Sequence, residues 1–198
     1  MLFIRRLKGL KRFLESKKGF TLIEIIVTMA IIGIVSAIAI PNFSKWKEKH
    51  EINGQAQKVY FDLMLARTTA VKSNNNVRVT FDLVANTYTI HEDSNDDGTV
   101  DAGENLKNAV LENNVQFAYN VGITDTDDNA VTSAVSFGGA QVVVFDSRGQ
   151  ASSSGSVLLL HLSDIGISDD RARLISILQA TGGVDYWSYS GTNTPPWK

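Results

Sequence analysis

"KKGFTLIEIIVTMAIIGIVSAIAI", residues 17 to 40, sets two lysines and a glycine against an apolar run and then places a single glutamate inside that run. From Phe20 to Ile40 the only charge in 21 residues is Glu24. Coiled as a helix, the stretch spans about 31 Å at about 1.5 Å per residue, which matches the hydrocarbon of a bilayer. It reads as a membrane span. Residues 1–19 hold seven Lys/Arg against Glu15, a net of +6, and because the 198-residue chain carries −2 overall, the remainder carries −8. The basic head predicts a cytoplasmic N-terminus, with everything after Pro41 on the far side.

An ordinary secretory signal is the competing reading, since Ala37-Ile38-Ala39 forms an A-x-A site. Three features oppose it: a basic region of 19 residues, an apolar run longer than the usual one of about 7 to 15 residues, and a charge within that run. The length suits one domain with an appendage. The absence of cysteine excludes disulfides and thiolate metal sites and leaves the redox compartment unmarked.

Gly19 followed by Phe20, then Thr21-Leu22-Ile23-Glu24, with Pro41 closing the span, resembles the class III signal of type IV pilins and type II secretion pseudopilins. The resemblance implies that a prepilin peptidase cuts between Gly19 and Phe20 on the cytoplasmic side, methylates the new N-terminus and leaves the span in the mature chain. It also implies a role for Glu24. A carboxylate near the centre of a bilayer costs about 2.5 to 3.5 kcal/mol, less where it reaches the interface, so it needs a partner. In this family the glutamate of an incoming subunit answers the N-terminal amine of its neighbour, which would fix the axial register of packed helices because an uncompensated charge in a dry bundle is disfavoured. The plainer alternative is that Glu24 snorkels to the headgroups.

Beyond the span, Pro41 removes a backbone donor and is expected to kink or locally melt the helix. Apolar or small residues then recur at Ile52, Ala56, Val59, Leu63, Ala66 and Ala70, a spacing that lines one helical face and asks for a sheet to lie on. Lys45, Lys49, Lys58 and Arg67 are assigned to the opposite face, and the helix should finish near residues 72–76, "KSNNN". From there the period changes to 2. Strands are expected at 77–83, 86–92, 109–113, 115–119, 141–146, 156–162, 171–178 and 184–187, with surface loops at 120–140 and 147–156.

The expected fold class is therefore α+β: a long N-terminal helix, with a transmembrane half and an amphipathic half, packed on a C-terminal antiparallel β domain. The boundaries read as a cleaved leader 1–19, a membrane half 20–41, an amphipathic half 42–75 and a β-rich domain 76–198. The segments 63–81, 143–151 ("VVFDSRGQA") and 171–184 resemble the GspH/FimT branch, the type II secretion pseudopilin H and related minor type IV pilins. In that branch an A-R-x-x-A helix end leads into the first strand, an F-D-x-x-G segment follows, and the last strand ends in a Thr-Gly turn. The resemblance implies a minor pseudopilin of the type II secretion pseudopilus, or alternatively a minor type IV pilin acting in priming, adhesion or DNA uptake. Its partners would be prepilin peptidase, other pilin or pseudopilin subunits and the inner membrane. Some branch members that take up DNA end in a basic Gly-Arg-x-Arg motif, whereas Thr181-Gly182-Gly183-Val184-Asp185 has no arginine, and an acidic body repels phosphates. No nucleic acid partner is expected.

"DSNDDGTVDAGE", residues 93–104, places Asp93, Asn95, Asp97, Thr99, Asp101 and Glu104 at positions 1, 3, 5, 7, 9 and 12 of an EF-hand loop, with Gly98 at position 6. Hard oxygens at that spacing suit Ca²⁺, the glycine permits the sharp turn and the last glutamate can bind through both oxygens. The alternative is a solvated hairpin tip whose aspartates favour turns. No cofactor is required by either reading. Catalysis finds no support: His50, His91 and His161 show no metal spacing, and Ser44 with Lys47 makes an isolated S-x-x-K. A released calcium-binding module or hydrolase is the reading from another class. The C-terminal aromatics Tyr186, Trp187, Tyr189 and Trp197 divide between core and tail.

Overall fold

The computed structural model describes residues 19–191 and 196–198, so of the expected leader only Gly19 falls within the described residues. The described residues divide into two compact units, one ending at Lys45 and the other beginning at Trp46. Helix α1, Leu22–Ser73, is the single long helix among the described residues. It runs unbroken through Pro41, so of the two expectations there, kinking or local melting, the melting does not occur. Asn42 Nδ2 donates to the Ile38 carbonyl at 3.2 Å and Ser44 Oγ to that of Ile40 at 3.3 Å, each reaching back to the preceding turn. The helix ends where Asn74 turns left-handed, with φ +57, a conformation asparagine accepts more readily than most residues.

In the first unit the apolar side chains are left bare. Ile23, Ile32 and Ile38 are each 64% exposed, and α1 holds a stretch long and apolar enough to cross a membrane.

In the second unit nine strands follow among the described residues: β1 Asn76–Asp82, β2 Thr87–Asp93, β3 Asn105–Val110, β4 Val115–Phe117, β5 Val135–Phe137, β6 Val142–Phe145, β7 Gly155–His161, β8 Arg173–Leu178 and β9 Gly183–Ser188. They form two antiparallel sheets. The first has the order β3-β2-β1-β6, and the second the order β4-β7-β8-β9 with β5 also on β7. The third expected strand was misplaced: it runs over 105–110, because the chain reaches β2 directly from the acidic loop, and Leu111 is buried beyond its end. β5 was missed inside the expected 120–140 loop, since three residues give too short an alternation to read; Val135 and Phe137 nonetheless point inward.

All six stripe residues of α1, from Ile52 to Ala70, are at most 1% exposed. They share one core with Val77, Val79, Ile90, Val143, Leu159 and Ile175, so the helix stripe meets the inner faces of both sheets. A second, smaller core lies on the outer face of the second sheet, where Leu158, Leu160 and Leu174 pack with Ile123, Ala172 and Trp197. That is why "SVLLLHL" reads as a nearly continuous apolar run: β7 is covered on both faces. Trp197 belongs to this core, its indole donating to the Thr124 carbonyl at 2.7 Å and its ring edge meeting Tyr189.

Lys58 and Arg67 do not lie on a free opposite face. Lys58 donates to the Val110 carbonyl, and Arg67 to two carbonyls of the β domain. Asp62, buried on α1, accepts from Tyr88 Oη at 2.5 Å and from Lys107 Nζ at 2.6 Å. Burial, reinforced by Asp62, pushes the Tyr88 phenol far above its ordinary value, so it remains a donor. Nearer the start of the unit, Arg171 pairs with Glu48 and Asp164, and the carboxylates of Asp164 and then Glu48 raise its pKa further.

Truncation within the stripe tests this packing. Leu63→Ala, at a position 1% exposed, should cost about 2 to 5 kcal/mol in urea denaturation followed by tryptophan emission. Leu65→Ala, 48% exposed two residues on, should stay within about 0.5 kcal/mol of the wild type.

Candidate functional site

The N-terminal site is built from the first turn of α1. Thr21 precedes the helix and its hydroxyl accepts from the Glu24 amide at 3.2 Å, while a Glu24 carboxylate oxygen accepts from the Thr21 amide at 3.4 Å. This is a reciprocal capping box, which satisfies two amides that have no partner at a helix start and sets a negative charge at the positive end of the helix dipole. The signal was present in the sequence as T-x-x-E before an apolar run. Gly19 and Phe20 lie beside it, both exposed, with Phe20 at 79%. Glu24 therefore stands within one turn of the bond expected to be cut.

Three motifs that are far apart in the sequence meet at the other end of α1. Arg67, in Ala66-Arg67-Thr68-Thr69-Ala70, donates through Nε to the Gly149 carbonyl at 3.1 Å and through Nη2 to the Thr181 carbonyl at 2.8 Å. Ala66 and Ala70 are fully buried on either side, which brings the helix close enough for that reach. Gly182 has φ +60, and a Cβ there would lie 1.9 Å from the Gly149 carbonyl oxygen. The helix end, the Asp146-Ser147-Arg148-Gly149 turn and the Thr181-Gly182 turn are thus one packing unit. Asp146 holds the middle turn: its carboxylate accepts from the amides of Arg148 and Gln150 at 2.9 Å and pairs with the Arg148 guanidinium.

The acidic loop joins β2 to β3. Asp93 is buried, and one of its oxygens accepts from Arg78 Nη2 at 2.9 Å, Arg78 Nε at 3.1 Å and the Gly98 amide at 3.1 Å. Its other oxygen is buried with no hydrogen-bond partner among the described residues. Asn95 Nδ2 donates to Asp97 at 2.9 Å and Asp101 at 3.0 Å, which brings those three side chains together. Glu104 instead accepts from the Ser94 amide and hydroxyl and from the Asp101 amide. Thr99 donates its hydroxyl and amide to Asp97. The Thr99 hydroxyl lowers the Asp97 pKa, and that of Ser94 lowers the Glu104 pKa.

Gly98, at φ +78, supplies the turn expected at position 6 of the loop, and Arg78 lies 3.2 Å from where its Cβ would be. The loop thus has the backbone turns of a calcium loop, but an internal guanidinium occupies its first carboxylate. Among the described residues no group of three or more His, Cys, Asp or Glu side chains is arranged to hold a metal ion. Arg78 was not singled out from the sequence, because it lies 15 residues before its partner in the chain.

Elsewhere, His161 Nδ1 lies 2.7 Å from Ser163 Oγ and its Nε2 lies 3.6 Å from Glu51, while both ring nitrogens of His91 are buried without a hydrogen bond among the described residues.

A long helix with one half packed on antiparallel sheets and the other half apolar and bare, opened by a glycine, phenylalanine and glutamate, defines a subunit of the type IV pilin-like class. Residues 16–40 match the prokaryotic N-terminal methylation motif, and residues 55–181, more than half of the chain, match the family described as Type II transport protein GspH. The chain belongs to the GspH family.

The N-terminal segment is similar to the type IV major pilin protein PilA of Myxococcus xanthus, with 55% identity over 38 residues, 19% of this chain and 17% of PilA. It is also similar to the fimbrial protein EcpB of Eikenella corrodens, with 44% identity over 57 residues, 29% of this chain and 33% of EcpB. The matches span a third or less of the length of those curated relatives. Among solved structures, the minor pseudopilin EpsH from the type 2 secretion system of Vibrio cholerae is 16% identical over 70% of this chain and 97% of EpsH, with a TM-score of 0.47. The type IV minor pilin FimU of Pseudomonas aeruginosa is 14% identical over 71% of this chain and 90% of FimU, with a TM-score of 0.45.

The junction of the three motifs predicts unequal costs for two glycine substitutions. Gly166→Ala, at φ +73 in open space, should cost only the left-handed conformation, about 1 to 2 kcal/mol. Gly182→Ala adds a collision with backbone and should lower the melting temperature well beyond that of Gly166→Ala, as differential scanning calorimetry would record.

Proposed function

We propose that the chain is a minor pseudopilin, a structural subunit of the type II secretion pseudopilus that supports protein export across the outer membrane. Prepilin peptidase removes residues 1–19 and methylates Phe20. The span 20–41 then sits in the inner membrane with its N-terminus cytoplasmic, and the β domain lies in the periplasm. The single observation that carries this reading is the bare apolar half of α1 with Glu24 as its only charge. These side chains are exposed among the described residues, which suits lipid first and neighbouring helices afterwards.

Glu24 has a local use in the capping box before assembly. Cleavage places a cationic amine on Phe20, one residue from that box, and we assign Glu24 to the amine of an adjoining subunit once the helices pack. A second reading, a minor type IV pilin, is supported by the pilus proteins to which the N-terminal segment is similar. Loss of the gene should trap exported enzymes in the periplasm on the first reading and abolish pili on the second.

Mass spectrometry of the chain isolated from membranes should find N-methylated Phe20 at the N-terminus. A chain beginning at Ile40 would identify a protein released by signal peptidase and sink the proposal. Glu24→Leu should insert normally yet enter filaments poorly, and incorporation at the wild-type level would remove Glu24 from the assembly mechanism.

For the acidic loop we infer that Arg78 supplies the positive charge its carboxylates need, so no metal is required for folding. The guanidinium already takes one Asp93 oxygen, so calcium would compete with it for that carboxylate. Titrating Ca²⁺ into the wild type should leave the melting temperature unchanged, whereas Arg78→Gln should gain a calcium-dependent rise that Asp93→Ala with Glu104→Ala abolishes. A rise in the wild type that the same double substitution removes would make the loop a calcium site as it stands.

A further inference from the structure

The outer face of the second sheet carries a cleft of about 570 Å³, away from the helix and from the three-motif junction. Its floor is a cross-strand row in strict register: Ser136 on β5 faces Ser156 on β7, which faces Ser176 on β8, which faces Asp185 on β9. With strands about 4.8 Å apart, the row presents four oxygen-bearing side chains over about 14 Å. Their chain neighbours Val135, Val157, Ile175 and Val184 point the other way, into the core, which fixes the row on the outer face.

Trp187 stands at one end of the floor, its indole Nε1 donating to Ser176 Oγ at 2.9 Å, so the ring's polar edge is held by the row. The rim comes from the 125–133 loop, whose shape is set by Asp125 accepting from the amides of Asp127 and Asn129 at 2.9 and 2.8 Å. Among the described residues three aspartates line the cleft, and no lysine, arginine or histidine does.

This chemistry selects its ligand. Anions are repelled by three carboxylates, which removes nucleic acids and acidic peptides. An apolar helix would find a floor of hydroxyls, each of which it would strip of water without replacing the hydrogen bond. A neutral polyhydroxylated chain fits. Serine hydroxyls donate and accept, ionised aspartates accept two hydroxyls each, and an indole face receives the C–H side of a sugar ring. The spacing of the row is close to the length of one pyranose unit. The volume also lies in the range of small-molecule clefts, about 300 to 1,000 Å³.

We propose that this cleft binds a neutral saccharide chain of about three units, with Trp187 as the stacking platform and the Ser136–Ser156–Ser176–Asp185 row as the hydrogen-bonding floor. In the periplasmic position proposed above, the sources are the cell-wall glycan and polysaccharides in transit. The binding chemistry itself does not depend on that position.

The test uses the full chain in a zwitterionic detergent, because a sugar headgroup would compete. Chitotetraose titrated to millimolar concentration should shift the tryptophan emission, and Trp187→Phe should remove the shift while keeping the fold. Ser156→Ala with Asp185→Asn should weaken binding at least tenfold with an unchanged melting temperature. Retention on isolated peptidoglycan sacculi assigns the cell wall as the source, and binding of the soluble glycan without such retention assigns free polysaccharide. No emission change together with no retention would overturn the proposal, as would equal affinity in the double variant or binding of a lysine-rich peptide alone. Since the assay measures binding in solution, a negative result leaves the assembly reading untouched, and failed processing at Phe20 leaves the cleft untouched.

Discussion

A carboxylate on a bare apolar helix has to be answered by something, and the rest of this molecule is arranged around how Glu24 is answered. In the single chain the answer is local. Thr21 and Glu24 close the first turn of α1 on each other, and the charge rests at the positive end of the helix. That arrangement is solvated and exposed, and it holds only while no drier environment forms around it. When apolar helices pack side by side, each Glu24 is taken out of water and a partner of opposite charge becomes worth more than a pair of amides. On the proposed reading, cleavage before Phe20 would create an amine that serves as such a partner, present only after processing. On this account peptidase cleavage is the switch that makes the helix competent to assemble.

The other half of α1 does the opposite job. It is covered by both sheets along the stripe from Ile52 to Ala70, and it is tied to them by Asp62, Arg67 and Arg171 through polar contacts at several levels. One helix thus serves two environments. The family's scattered motifs belong to this half: Arg67 grips the carbonyls of two turns, Gly149 and Gly182 let those turns touch, and the flanking alanines bring the helix near. They are a structural joint rather than a chemical site, which agrees with a family of structural subunits.

How much of this was legible in the sequence follows from the length of each signal. The helix was legible because Ile52, Ala56, Val59, Leu63, Ala66 and Ala70 repeat over five turns, and every one of them is buried. Long alternating strands such as β1 and β2 were legible within a residue. β5 was not, since three residues do not establish a period, and β3 was displaced because Asn105-Leu106-Lys107 lacks the β-branched residues that mark a strand. The persistence of α1 through Pro41 was not legible either, since a proline inside a helical pattern can end, kink or merely interrupt the hydrogen-bond ladder. Arg78 and Arg67 were out of reach for a different reason: their partners are distant in the chain, so only folding makes them neighbours.

The acidic loop sets a motif beside a contact that the motif does not contain. Its oxygens are spaced for calcium, yet β1 delivers a guanidinium to the carboxylate that would begin the ligand set. The central claim concerns the other end of the chain, where an amine and an acid from different subunits should meet. Solid-state NMR of reconstituted filaments tests it most directly, with ¹³C in the Glu24 side chain of this subunit and ¹⁵N at the N-terminus of the co-assembling major subunit. The account predicts magnetisation transfer between the two labels at contact distance. No transfer in filaments that contain both labelled subunits would contradict it.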